Sequence, residues 1–179
     1  MIMENFWRDA QKLPNIITLV RMIFGAPVTI ILYKNGFEYA WLVFLLFAVT
    51  DLLDGYIARK TNTATSLGAR LDPLADQFLV LPVMWYLACV GVWSYIMPTM
   101  FLLREILMLL IRAYAEMPSN WLGKIKINAE YAGVALFIFG VQGYYYGFLI
   151  IVAALLSAYL SLAYYAVIAF GLQNKDHNA

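Results

Sequence analysis

The chain has 179 residues, 64% of them hydrophobic, 16% aromatic and only 13% charged, with a mean hydropathy of +0.74. That balance lies outside the range of soluble domains and marks an integral membrane protein. A formal net charge of +1 gives no electrostatic footprint for nucleic acid, and a single cysteine, Cys89, excludes a disulfide framework or a cysteine metal cluster.

The N-terminal "MIMENFWRDAQKLPN" has neither the apolar core nor the small-residue cleavage site of a signal peptide. With Phe6 and Trp7 set among charges, it predicts a short interfacial helix over about 3–13. Crossing the hydrocarbon core takes roughly 20 mostly apolar residues. Six runs approach that length: about Ile16 to Tyr33, Tyr39 to Ala58, Leu71 to Val92, Tyr95 to Ala115, Ile127 to Val141 and Tyr146 to Leu172. The fifth is the shortest. The expected fold is therefore an all-α integral membrane protein with six transmembrane helices, forming a single membrane domain over residues 1–179 with no room for a soluble module. The breakers "EMPSN" and Gly143 to Gly147 are expected to end span four and to separate spans five and six.

Positive charge sets the orientation. Arg8 and Lys12, then Arg59, Lys60 and Arg70, then Arg112, Lys124 and Lys126, and finally Lys175 all fall on one side of this layout. The opposite side receives Lys34 together with tyrosines and tryptophans suited to a headgroup belt. Both termini and the connection between spans two and three are thus expected to face the cytoplasm.

That connection carries "DLLDGYIARKTNTATSLGARLDPLADQ", Asp51 to Gln77. A carboxylate within a membrane span costs about 2.5–3.5 kcal/mol on insertion scales, so four of them need a reason. Asp51 and Asp54 stand three apart at the end of span two, and Asp72 and Asp76 four apart at the start of span three. Both spacings place a pair on one helical face. Oxygen donors without His or Cys select Mg²⁺, Mn²⁺ or Ca²⁺, and a pair of such metals suits displacement at phosphorus. Gly55 and Gly68 allow a ligand close to the backbone, and Arg59 offers a planar fork of donors to a diphosphate. Two blander readings stand beside this one. The loop charges could pair with each other, or the carboxylates could serve a divalent-cation transporter, although transporter sites tend to lie at the midplane on broken helices.

The spacing D-x2-D-G-x2-A-R-x8-G-x3-D-x3-D, present as Asp51, Asp54, Gly55, Ala58, Arg59, Gly68, Asp72 and Asp76, resembles the signature of the CDP-alcohol phosphotransferases. "PNIITLVR" at the start of span one and the six-span layout are similar to that family as well. The resemblance implies transfer of a substituted phosphate from a CDP-linked donor to an acceptor hydroxyl, with release of CMP and two divalent cations, Mg²⁺ or Mn²⁺. It implies that Asp51, Asp54 and Asp72 are metal ligands, that Asp76 is the catalytic base and touches the second metal, and that Gly55, Ala58, Arg59 and Gly68 line the CDP site. Asn15 and Thr18 would assist at the nucleotide; equally, Asn15 could cap span one and Thr18 face a neighbouring helix. A homodimer is expected from the family.

The acceptor is read from the second half of the chain. Arg104 and Arg112 in "LLREILMLLIRAY", and Lys124 and Lys126 in "NWLGKIKINAEY", are cations that could hold an anionic acceptor; Lys124 and Lys126 could equally be ordinary positive charge at a cytoplasmic face, and Arg104 could pair with Glu105 or an acidic neighbour. These segments are similar to those of family members that join CDP-diacylglycerol to glycerol 3-phosphate. Gln77, Ile127 and Glu130 depart from that pattern, which keeps open a cardiolipin synthase of the same family using phosphatidylglycerol as acceptor.

Overall fold

The computed structural model describes the backbone of residues 13–60, 66–114 and 121–176, and the side chains of 16–50, 75–112, 125–140 and 143–169. The interfacial helix expected over about 3–13 lies outside these residues apart from Leu13. So does the "EMPSN" breaker.

Among the described residues all regular structure is helical. The order is α1 (Leu13–Lys34), α2 (Ala40–Lys60), α3 (Ser66–Cys89), α4 (Ile96–Tyr114), α5 (Trp121–Phe139) and α6 (Val141–Asp176). Each apolar run read from the sequence falls on one of these helices. Among the described residues two stretches, Ile16–Lys34 of α1 and Gly143–Ala169 of α6, are long and apolar enough to cross a membrane. Ala40–Thr50 of α2 and Ala75–Cys89 of α3 are apolar up to the limit of their described side chains.

Several helices outrun their apolar runs. α3 starts at Ser66 rather than near Leu71, which puts Pro73 well inside the helix. α6 has 36 residues, about 54 Å at 1.5 Å per residue, against a hydrocarbon core of about 30 Å. Hydropathy marks where a helix meets lipid. It does not mark where the backbone stops bonding to itself, so polar turns at either end escape notice.

Side chains face outward as lipid contact requires. Leu156, Leu160, Tyr164 and Val167 form a ridge at helical spacing along α6, 53–72% exposed. Inside, Phe44, Leu79, Met84, Phe101, Val134 and Ile151 make a closely packed core. α1 packs along both α2 and α3, more extensively than those two pack on each other, while α5 and α6 form the most intimate pair. At the end away from the aspartate motif, aromatic rings gather. Trp93 lies 4.5 Å from Phe137 between ring centroids and donates its indole N–H to the Met84 carbonyl at 2.8 Å, and Trp41 meets Phe139 edge-on at 5.5 Å.

The connection between α5 and α6 differs from the expectation. The expected loop of Gly143 to Gly147 is helical, and the turn is made at Gly140, whose φ of +108° is open to glycine and strained for other residues. Gly143 serves a different purpose. A β-carbon there would meet the Leu136 carbonyl oxygen of α5 well inside van der Waals contact, so the missing side chain lets two backbones touch. Small residues at helix contacts are the usual device for close packing in lipid. Gly143→Val is accordingly expected to lower stability by about 1–3 kcal/mol, the usual cost of overpacking. Thermal unfolding in detergent measures this, and an unchanged midpoint would show that α5 and α6 can separate without cost.

Candidate active site

Four helices contribute polar groups to the bundle interior at comparable depth. From α1 comes Arg21, 1% exposed, with Thr18 buried one turn before it. From α3 comes Asp76, from α4 Arg104 and Glu105, and from α5 Lys126, Glu130 and Tyr131. Such groups are rare inside a membrane bundle and mark function or mutual pairing.

They divide into two neighbouring networks joined through α5. In the first, the Tyr131 hydroxyl donates to Asp76 Oδ1 at 2.8 Å, and the Arg21 guanidinium makes an ion pair with the same oxygen at 3.4 Å. The carboxylate keeps 16% exposure while the guanidinium keeps almost none. In the second, Glu105 Oε1 accepts from Arg104 Nη1 at 2.7 Å and from Lys126 Nζ at 2.5 Å, and Lys126 also pairs with Glu130 one turn along α5 at 3.1 Å. Arg104 Nε donates to the Ala158 carbonyl of α6 at 3.3 Å. Two formal positive and two formal negative charges thus neutralise one another in the interior, as buried charges must.

An apolar cleft of about 310 Å³ opens between α3 and α4. Gln77, Glu105 and Arg112 supply its polar groups, and Phe78, Leu81 and Leu109 are among its apolar walls. Arg112 is exposed.

Of the residues singled out in the sequence, Asp76, Thr18, Arg104, Arg112 and Lys126 have described side chains. The backbones of Asp51, Asp54, Gly55, Ala58 and Arg59 lie on α2, those of Gly68 and Asp72 on α3, that of Asn15 on α1 and that of Lys124 on α5. Their side chains lie outside the described residues. Arg104 and Lys126 are brought together, but by the shared Glu105 rather than around an open anion site. The structure adds Arg21 and Tyr131, and it places Glu105 and Glu130 in ion pairs with Arg104 and Lys126. Arg21 has a sequence signal that was passed over: a lone cation inside an apolar run, three residues after Thr18 and six after Asn15, on one helical face. Tyr131 is one of 13 tyrosines and had none.

The CDP-alcohol phosphatidyltransferase family profile matches residues 11–168, nearly the whole chain. The chain belongs to that family. Among similar proteins, the CDP-diacylglycerol–glycerol-3-phosphate 3-phosphatidyltransferase of Rickettsia prowazekii is 31% identical over 144 residues, covering 76% of this chain and 80% of its own. The protein of the same name from Salmonella choleraesuis is 29% identical over 157 residues, covering 70% and 85%. That from Rickettsia typhi is 31% identical over 141 residues, covering 74% and 79%.

CDP-alcohol phosphatidyltransferases are generally divalent-cation dependent. The donor set here fits such a cation. Asp51 and Asp54 on α2, with Asp72 and Asp76 on α3, offer oxygen donors of the hard type that Mg²⁺ and Mn²⁺ prefer. Asp76 is partly exposed, and its Oδ1 meets Tyr131 and Arg21.

Proposed function

We propose that this phosphatidyltransferase moves the phosphatidyl group of CDP-diacylglycerol to the hydroxyl of glycerol 3-phosphate, giving phosphatidylglycerophosphate and CMP. The observation that carries this reading is the ungapped eight-residue aspartate motif within a chain that matches the family over residues 11–168. Relatives named for that donor and acceptor support the choice of substrates.

In this reading Asp51, Asp54, Asp72 and Asp76 hold two divalent cations, Mg²⁺ or Mn²⁺. When bound, these supply charge stabilisation on the diphosphate and on the departing CMP. Gly55, Ala58 and Gly68 let the CDP moiety lie against the backbone, Arg59 grips its diphosphate, and Asn15 and Thr18 border the nucleotide. Asp76 takes the proton of the acceptor hydroxyl as that oxygen bonds to phosphorus. The bond from phosphorus to the CMP oxygen then breaks, and its electron pair leaves with CMP.

Arg112 meets the acceptor phosphate at the mouth of the cleft beside Glu105, and Lys124, Arg104 and Lys126 complete the set of cations offered to it. The pairing of Arg104 and Lys126 with Glu105 makes them the weaker part of that set, because an incoming phosphate must compete with a carboxylate already in place.

The protein is a single membrane domain spanning six times, with its interfacial helix, both termini and the active site at the cytoplasmic face of a bacterial inner membrane, working as a homodimer. The acyl chains of the donor stay in the bilayer while glycerol 3-phosphate arrives from water. An acceptor screen tests the proposal. Purified protein with CDP-diacylglycerol and Mg²⁺ or Mn²⁺ is expected to release CMP with glycerol 3-phosphate and to stop when the metal is chelated. Release with phosphatidylglycerol alone would make it a cardiolipin synthase. No release with any acceptor would return the aspartates to cation transport.

A further inference from the structure

Asp76 stands where α1, α3 and α5 meet. Both of its described partners act on one oxygen, Oδ1, and both come from the bundle interior, since Arg21 is 1% and Tyr131 7% exposed. The terminal torsion of an aspartate is broad and nearly two-fold, so an unrestrained carboxylate samples many orientations. A hydrogen bond from Tyr131 and the ion pair with Arg21, both at Oδ1, restrict that freedom.

We propose that Arg21 and Tyr131 are positioning residues for the transfer reaction: by gripping Asp76 Oδ1 from two other helices they fix the rotation of its carboxylate and aim it at the acceptor hydroxyl. This rests on Asp76 being the group that takes the acceptor's proton. Proton transfer needs heavy atoms about 2.6–3.2 Å apart, so the angle of the carboxylate sets whether a bound acceptor is in reach. Misplacement by about 1 Å can cost on the order of 10²-fold in rate.

Packing alone does not account for the pair. A guanidinium buried in a membrane bundle is costly, and an apolar side chain of similar length would fill the space without that cost. α1 packs on both motif-bearing helices, so Arg21 is well placed to tie the α3 carboxylate to the element that α2 also leans on.

Tyr131→Phe is the primary test. It removes one donor and keeps the ring that meets Phe44 edge-on at 6.2 Å, so the fold is expected to hold. The expected result is a fall in kcat of about tenfold or more, with KM for CDP-diacylglycerol and for glycerol 3-phosphate within about twofold of the parent and an unchanged unfolding midpoint. Arg21→Lys should retain more kcat than Arg21→Met, because a cation can still reach Oδ1. Asp76→Asn is measured alongside. If it stops transfer while Tyr131→Phe turns over at the parent rate, positioning is overturned and the assignment of Asp76 stands. If Asp76→Asn itself keeps transfer, both fall. A loss that follows the folded fraction and is equal in Arg21→Lys and Arg21→Met reduces the pair to structural support and also overturns the proposal.

Discussion

Asp76→Asn is expected to lower kcat by about 10²–10⁴-fold, the range supplied by a positioned general base, while CDP-diacylglycerol still binds. Asn is the informative replacement because its side-chain oxygen can still accept from the Tyr131 hydroxyl, which now bonds Asp76 Oδ1 at 2.8 Å. What it loses is the ability to take a proton and the formal charge opposite Arg21. Some loss of stability should follow from the second change, because a guanidinium 1% exposed has lost an anionic neighbour. Turnover must therefore be normalised to folded protein, and donor binding measured separately by equilibrium titration. Residual transfer within about tenfold of the parent would remove Asp76 from the base role.

The family was legible because its motif is local. Eight residues at fixed spacing, Asp51 to Asp76, sit on two consecutive helices, and no tertiary knowledge is needed to see the resemblance. All-helical architecture was equally legible, since each apolar run marks a helix. Helix ends were not. Polar turns such as Ser66 to Arg70 carry no hydropathy signal, and glycines read as a loop at Gly143 to Gly147 prove to be a helix contact. Loop and contact glycines look alike in one dimension, because both answer a demand for the absence of a side chain.

Partners of buried charge were legible only where they are neighbours in sequence, as Glu105 is to Arg104. Lys124 and Lys126 read alike in the sequence as positive charge near a membrane face, yet Lys126 is 3% exposed and pairs with two carboxylates. Glu130 was read as a departure at the acceptor segment. Its place one turn from Lys126, fully buried against it, gives that departure a structural reason: it balances a cation that would otherwise be in excess.

That balance makes Lys126→Met the most destabilising single change expected among the described residues. Its ammonium touches Glu105 at 2.5 Å and Glu130 at 3.1 Å, and Glu130 is 0% exposed. Removing it leaves two carboxylates facing Arg104 alone within this cluster, and Arg104 pairs with Glu105 rather than with Glu130. Breaking a buried pair from one side typically costs about 3–5 kcal/mol, because the remaining charge keeps its desolvation penalty without the attraction that offset it. Thermal unfolding in detergent should show a large drop for Lys126→Met. Adding Glu130→Gln to it should recover much of the loss, since the second change removes the stranded charge. Acceptor kinetics on this double variant then separate the two roles of Lys126. A raised KM for glycerol 3-phosphate in a protein of near-parent stability assigns the ammonium to the acceptor phosphate as well as to the network. An unchanged KM leaves Arg112 and Lys124 to bind the acceptor and makes Lys126 part of the scaffold that holds α4 against α5. Parent-like stability of Lys126→Met alone would mean that these carboxylates are not held in the interior by charge, and the network would lose its structural role.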